Sequence, residues 1–267
     1  MRKYWIVLRI SLSERLVYRA AFFISTFLRF IPIVTTILLW SAIYDGSGRS
    51  HLGGMAYSEM ISYYLCVMIV RAFSSMPRLA SGIAGDIRDG ELRKYLLQPV
   101  DYLTYLLSLR GAHKIVYFIM AAAPYTIVFW VCRDYLPDGL PALYLGLSLV
   151  SLFLAFLLGF AINSLIGMLG FWFLDVSGFM HVFMISQYFL GGHMFPLSLL
   201  PDSMRQLVTY LPFAYETYYP TLILLQRLEP HEVGRVILIQ VAWIVVLGLA
   251  VRLAWSRGLR RYAAFGG

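Results

Sequence analysis

Apolar residues run along this chain in stretches too long and too continuous for the amphipathic helices of a water-soluble core. A helix needs roughly 20 mostly apolar residues to cross about 30 Å of hydrocarbon. Six segments meet that length, at residues 21–44, 58–77, 114–132, 143–171, 178–195 and 235–255. The fifth is the shortest, because Gly191, Gly192 and Pro196 interrupt its end, and the fourth is long enough to tilt or to project beyond the bilayer. The pattern predicts an all-α integral membrane protein, a single domain of six transmembrane helices over residues 1–267.

Two connections are too long for turns. The inner one, about residues 77–113, is densely charged and helical in composition. The outer one, about 192–234, is rich in Pro, Tyr and Leu and is cut by Pro196, Pro201, Pro212 and Pro220. Short helices are expected over 199–211 and 213–226, dipping back into the membrane, where irregular backbone is tolerated when it packs on protein. Before the first span, Trp5, Leu8, Leu12 and Leu16 form an imperfect apolar stripe among basic residues, which reads as an interfacial helix.

Composition strengthens the membrane reading. The chain is 60% hydrophobic and 13% charged, against about 25% charged in soluble domains. An ordinary soluble enzyme and a disordered tail are both excluded. The net charge of +8 points to topology rather than nucleic acid. With the N-terminus cytoplasmic, fifteen Lys and Arg fall on the inner side and five on the outer. That bias predicts both termini inside. Arg2, Lys3, Arg9, Arg15 and Arg19 break the first apolar stretch, so a retained span is expected rather than a cleaved signal.

Several chemistries are missing. None of Lys3, Lys94 and Lys114 follows a glycine, so there is no phosphate-binding Gly-Lys loop. His51, His113, His181, His193 and His231 lack metal-ligand spacing, and Cys66 and Cys132 lie within apolar runs. No catalytic residue, metal or cofactor is predicted in this chain.

The most informative stretch runs over residues 84–100, where Leu92, Tyr95, Leu96 and Pro99 follow helical spacing beside a charged rim. Spacing alone fits two readings, a helix that docks into a groove on another protein and a helix lying at the membrane surface. The residues themselves resemble the first cytoplasmic loop of type-2 ABC exporter permeases. An acidic-basic pair, Gly, Leu, Leu-Leu and Pro of that loop read here as Asp86, Arg88, Gly90, Leu92, Leu96, Leu97 and Pro99. Glu91 stands where many relatives carry Thr, and Asp86 where many carry Glu. The outer segment Gly191-Gly192-His193-Met194-Phe195-Pro196-Leu197, with Leu200-Pro201 and Leu211-Pro212-Phe213, is similar to the family's stretch between spans five and six.

The resemblance implies the transmembrane half of an ATP-driven exporter in a bacterial inner membrane. Asp86, Arg88, Gly90, Glu91, Leu92, Tyr95, Leu96 and Pro99 would form the coupling helix seated in a separate cassette ATPase, which would hold ATP and Mg. Phe195, Pro196, Pro212 and Phe213 would lie at the extracellular gate. The permease would dimerise, and the basic tail 257–262 is similar to members that pair with a paralogous subunit, which favours a heterodimer over a homodimer.

Remaining polar residues carry paired expectations. Arg29 and Arg71, in the cytoplasmic halves of spans one and two, either line the pathway toward an anionic group or snorkel to the interface. Asn163 and Gln187 suit interhelical hydrogen bonds. Tyr215 and Glu216 belong either to a gate or to a solvated rim, and Asp175 suits a cap on the fifth helix. Two other functions compete. A self-sufficient secondary transporter or channel needs broken mid-membrane helices or an inverted repeat. A lipid-modifying enzyme needs clustered acids or histidines, with His181, His193 and Glu216 as its candidates.

Overall fold

A computed structural model describes residues 28, 30–137 and 139–264. The described chain is helical, with one isolated bridge between Leu52 and Met55. In order the helices are α1 (Ile31–Ser47), α2 (Tyr57–Ser74), α3 (Leu79–Arg88), α4 (Leu92–Leu96), α5 (Tyr102–Val131), α6 (Ala142–Gly167), α7 (Ser177–Leu190), α8 (Asp202–Thr209), α9 (Pro212–Glu216), α10 (Tyr218–Leu224) and α11 (Pro230–Ala264). Single tight turns of helix lie at Arg133–Tyr135, Met168–Phe171 and Leu197–Leu199.

Four stretches are long and apolar enough to cross a membrane: Tyr57–Arg88, Tyr102–Val131, Ala142–Phe171 and Pro230–Tyr262. The protein is therefore a multi-pass membrane protein. The third expected span starts earlier than its apolar run suggests, because Asp101 accepts the Thr104 N–H at 2.8 Å and opens α5 at Tyr102. The fifth expected span contains only the 14 residues of α7, about 21 Å at 1.5 Å per residue. The N-terminal stripe at Trp5, Leu8, Leu12 and Leu16, with residues 21–27 and 29 of the first expected span, lies outside the described residues.

Two compact units divide the chain. The first comprises Met1–Leu65 and Pro99–Leu136. Aromatic side chains organise its described part. Tyr44 meets Tyr57 edge-on at 5.7 Å, Tyr57 meets Tyr135 at 6.0 Å, and Phe30 meets Tyr125 at 5.2 Å. Edge-to-face geometry sets the positive rim of one ring on the negative face of the next. Two polar ties accompany the rings. The Tyr44 hydroxyl donates to the Met55 carbonyl at 2.7 Å, and Ser62 donates to the Tyr135 carbonyl. Helix α1 ends at Gly48, whose φ of +61° suits glycine in the left-handed cap, where its N–H bonds the Tyr44 carbonyl.

The second unit comprises Cys66–Gln98 and Pro137–Gly267. Helix α6 is its core: 56% of its apolar window is buried, against 17% for α11, which turns a broad apolar face outward. Helix α3 buries one stripe, Leu79, Ala80, Ile83, Ala84 and Ile87, against α6. The two backbones approach closely because small residues meet. A Cβ on Gly167 would lie 2.8 Å from the Ala80 carbonyl oxygen, and one on Gly170 would lie 3.0 Å from the Ala84 Cα. Gly159 meets the Ser74 carbonyl in the same way. Small-on-small contact is how helices associate where hydrocarbon gives no hydrophobic drive.

Polar groups complete the packing. The Ser151 hydroxyl donates to Gln240 Oε1 at 3.0 Å, and Gln240 Nε2 donates to the Tyr215 carbonyl at 2.9 Å. Gln240 is fully buried. One amide thereby ties α6, α9 and α11 together.

Two outcomes are expected when the detergent-solubilised protein is melted and the buried thiols Cys66 and Cys132 report unfolding. Gly167→Val lowers stability by about 2–3 kcal/mol, since backbone blocks its side chain, whereas Gly146→Ala, with open space around its Cβ, lowers nothing. Gln240→Leu costs about 1–3 kcal/mol by stranding the groups it satisfies.

Candidate functional site

Two features of the second unit carry candidate chemistry. The first is the segment that follows α3. Arg88 Nε donates to Asp89 Oδ1 at 2.9 Å, and this bond holds the Asp89 carboxyl below the usual carboxylate range. Both groups are exposed, so the pair contributes little to stability. Gly90 then takes φ +76°, the left-handed turn that ends α3 and redirects the chain into α4. Among the described residues only Tyr262 Oη, at 3.9 Å, would meet a Cβ there, so the demand for glycine comes from the backbone, not from space.

Within α4 the side chains part company. Leu92 is fully buried and anchors the turn. Glu91 and Lys94 pair on the rim. Leu96 is 46% and Leu97 87% exposed. The sequence places Leu92, Tyr95, Leu96 and Pro99 on one apolar face. The structure corrects this: α4 is a single five-residue helix, Leu92 points inward, Tyr95 is half-buried, and Pro99 is exposed beyond the helix end. Five residues are too few to keep one face over two turns. Asp86 is half-buried and Arg88 exposed.

The second feature is a buried polar cluster near the end of α7. Gln187 Nε2 donates to both oxygens of Glu216, each at 2.8 Å. Glu216 is completely buried and Tyr215 nearly so. The solvated rim considered for this pair is therefore ruled out, since burial of a carboxyl requires such partners. His193 Nε2 and the Thr217 hydroxyl share a hydrogen bond of 2.6 Å, and His193 meets Tyr188 edge-on at 5.5 Å. The Arg71 guanidinium lies 5.0 Å from the centre of the Tyr188 ring. Arg71 thus packs on an aromatic face in a half-buried setting, a cation–π contact that strengthens as water is withdrawn.

Other expected residues fall as follows. Arg29 lies outside the described residues. Phe195 packs on Phe189 at 6.2 Å and Phe213 on Phe183 at 6.0 Å, with Pro196 buried and Pro212 half-buried. The two phenylalanines thus pack on α7. Asn163 donates to the Gly159 carbonyl of its own helix at 2.9 Å, not to a neighbour. Gln187 does bridge two elements, as its position suggested. Asp175 accepts the Ser177 N–H at 2.8 Å, which holds its carboxyl below the usual range and fixes the start of α7. The expected helix over 213–226 is broken at Thr217, where φ is −134°. His181 stays on the exposed face of α7, bonded to the Ser177 carbonyl, away from the His193–Glu216 cluster. The roles of Tyr188, Thr217 and Gln240 have no signal in the sequence, because each is set by a neighbour distant along the chain.

Gln187→Leu removes an amide donor from a buried carboxyl and is expected to lower stability by about 1–3 kcal/mol. Ser186→Ala, which loses only an exposed bond to its own helix, serves as the neutral comparison in the same thiol-exposure melt.

Comparison with known proteins agrees with this architecture. No curated protein matches the sequence. A family model described as ABC-2 family transporter protein matches residues 30–266, nearly the whole described chain. With its several apolar membrane-crossing helices, the protein is a member of the ABC-2 transporter family, a transmembrane permease of an ABC transporter.

Proposed function

We infer that this chain forms one half of the translocation pathway of an ATP-driven exporter. A second permease subunit completes the pathway, with a paralogous partner favoured, and each half engages a separate cassette ATPase that binds ATP and Mg. In this reading α1 and α7 complete a six-span bundle, and α8, α9 and α10 are the re-entrant pieces near the outer gate. The segment 86–99 faces the cytoplasm of a bacterium as the coupling element.

The observation that carries the reading is the build of that segment. Gly90 and the buried Leu92 fix a short helix, while Leu96 and Leu97 stand exposed between charged residues. Exposed apolar side chains on a rigid, charge-rimmed projection suit insertion into a groove. ATP-driven closure of the ATPase pair would bias the permease between two access states through this contact. Arg71 would sit beside the route of the cargo, where its charge is desolvated enough to matter.

Gentle purification of the tagged chain from its native host tests the proposal. A cassette ATPase is expected to co-purify and to hydrolyse ATP, and Leu97→Glu is expected to reduce its recovery at least about tenfold, the loss of one buried anchor. The substitution lies on an exposed position and leaves folding intact. Recovery of the chain without an ATPase would sink the reading and favour a secondary transporter. Arg71→Gln is expected to abolish transport while ATPase recovery stays normal; full transport would remove Arg71 from the pathway.

A further inference from the structure

The three apolar stretches that end in Arg88, Phe171 and Tyr262 finish around one cavity of about 570 Å³, and all three end residues line it. That volume lies within the roughly 300–1,000 Å³ of pockets that hold small ligands. The cavity therefore lies at the C-terminal ends of three helical stretches long enough to cross a membrane. Arg88, Arg93 and Arg261 line it, with no acidic residue among the described lining residues. Asp89 bonds one edge of Arg88 through its Nε, and Glu91 pairs with Lys94.

Arginine is favoured at helix C-termini, which accounts for its presence where helices end. It does not account for two other facts. The Tyr262 hydroxyl is buried without a hydrogen-bond partner among the described residues, beside Gly90. A buried hydroxyl without a partner is costly, and a site that supplies one explains it. The second fact is the apolar rim. Trp172 and Phe173 line the cavity while part-exposed, and Leu174 beside them is 89% exposed.

We propose that this cavity binds the phosphate group of an anionic phospholipid, with Arg88, Arg93 and Arg261 around the phosphate and Tyr262 donating to it. Trp172, Phe173 and Leu174 then lie along the glycerol and upper acyl chains. Guanidinium groups match phosphate oxygens in geometry and charge, and basic recesses between transmembrane helices are suited to anionic headgroups. The bound lipid ties the turn after α3 to the last turn of α11, and so braces the coupling segment from the membrane side. The site rests only on the chain spanning a membrane; it stands whether or not an ATPase docks on Leu96 and Leu97.

The full-length chain is purified in detergent and offered phosphatidylglycerol or phosphatidylcholine of identical acyl chains. Retained lipid is read by native mass spectrometry and stability by thermal melting. The wild type is expected to retain phosphatidylglycerol with about tenfold preference, a modest sum over three arginines. Arg93→Gln combined with Arg261→Gln should abolish that preference, whereas Arg49→Gln, an exposed basic residue in the other unit, should keep it. Tyr262→Phe should melt in phosphatidylcholine no lower than wild type and lose at least half of the stabilisation by phosphatidylglycerol. Because this last variant removes only a hydroxyl, it tests the site even if the double variant fails to fold. Equal retention of the two lipids, or equal loss in the Arg49 variant, overturns the proposal. A melting shift with millimolar inorganic phosphate equal to that with phosphatidylglycerol also overturns it, because the ligand is then a soluble phosphate.

Discussion

Close contact between the backbones of α3 and α6 sets the geometry on which the second unit depends. In hydrocarbon, an apolar helix gains nothing by leaving lipid for another apolar helix unless the two fit more tightly than lipid does. Gly159, Gly167 and Gly170 remove the side chains that would hold α6 away, and Ser74, Ala80 and Ala84 answer them from the other side. The fit places the end of α3, and so Gly90 and α4, at a fixed position beside the end of α6. Gly258 plays the same part for α11, since a Cβ there would strike the Phe171 ring. Phe171 in turn meets Trp255 and Tyr262 edge-on at 6.0 and 6.3 Å. Three helix ends are thus fixed around one point by small residues and one aromatic ring.

Toward the opposite ends of these helices, polar bonds take over the work of shape. Gln240 binds α6 to α9 and α11, and Gln187 holds Glu216. Such groups cannot separate in a membrane without losing partners that no water replaces. They fix the short helices after α7 without a continuous apolar face. The arrangement divides the unit into a tightly packed end near α4 and a hydrogen-bonded end near Arg71, His193 and Glu216. A permease that shifts between two access states needs discrete, switchable contacts, and hydrogen bonds and cation–π contacts offer these more readily than interlocked backbones do.

The segment after α3 shows how one short helix divides its residues between the fold and the surface. Leu92 gives up its apolar surface to the fold, and that burial frees Leu96 and Leu97 to stay exposed without unravelling the turn. A helix of five residues would not persist alone in water. It holds here because Gly90 sets its direction and Leu92 anchors it.

The sequence by itself determined the membrane class, four of the six expected spans and the place of the charged stretch after α3. Each of these follows from local facts: apolar runs exceed the bilayer thickness, and Gly90 and Pro99 bracket a charged stretch. Asp175 as a cap and Gln187 as a bridge were legible for the same reason, since a polar group at a helix start or within a span has few options. Which way each side chain faces was decided only in the tertiary structure. Glu216 is sealed inside rather than solvated, Asn163 bonds its own helix, Leu92 turns inward and Thr217 breaks a helix that proline spacing alone would have left whole. Those outcomes depend on partners tens of residues away, brought close by glycine contacts whose purpose is invisible until two helices touch. Periodicity reports the distance between solvent and lipid; it does not report which neighbour fills the space between.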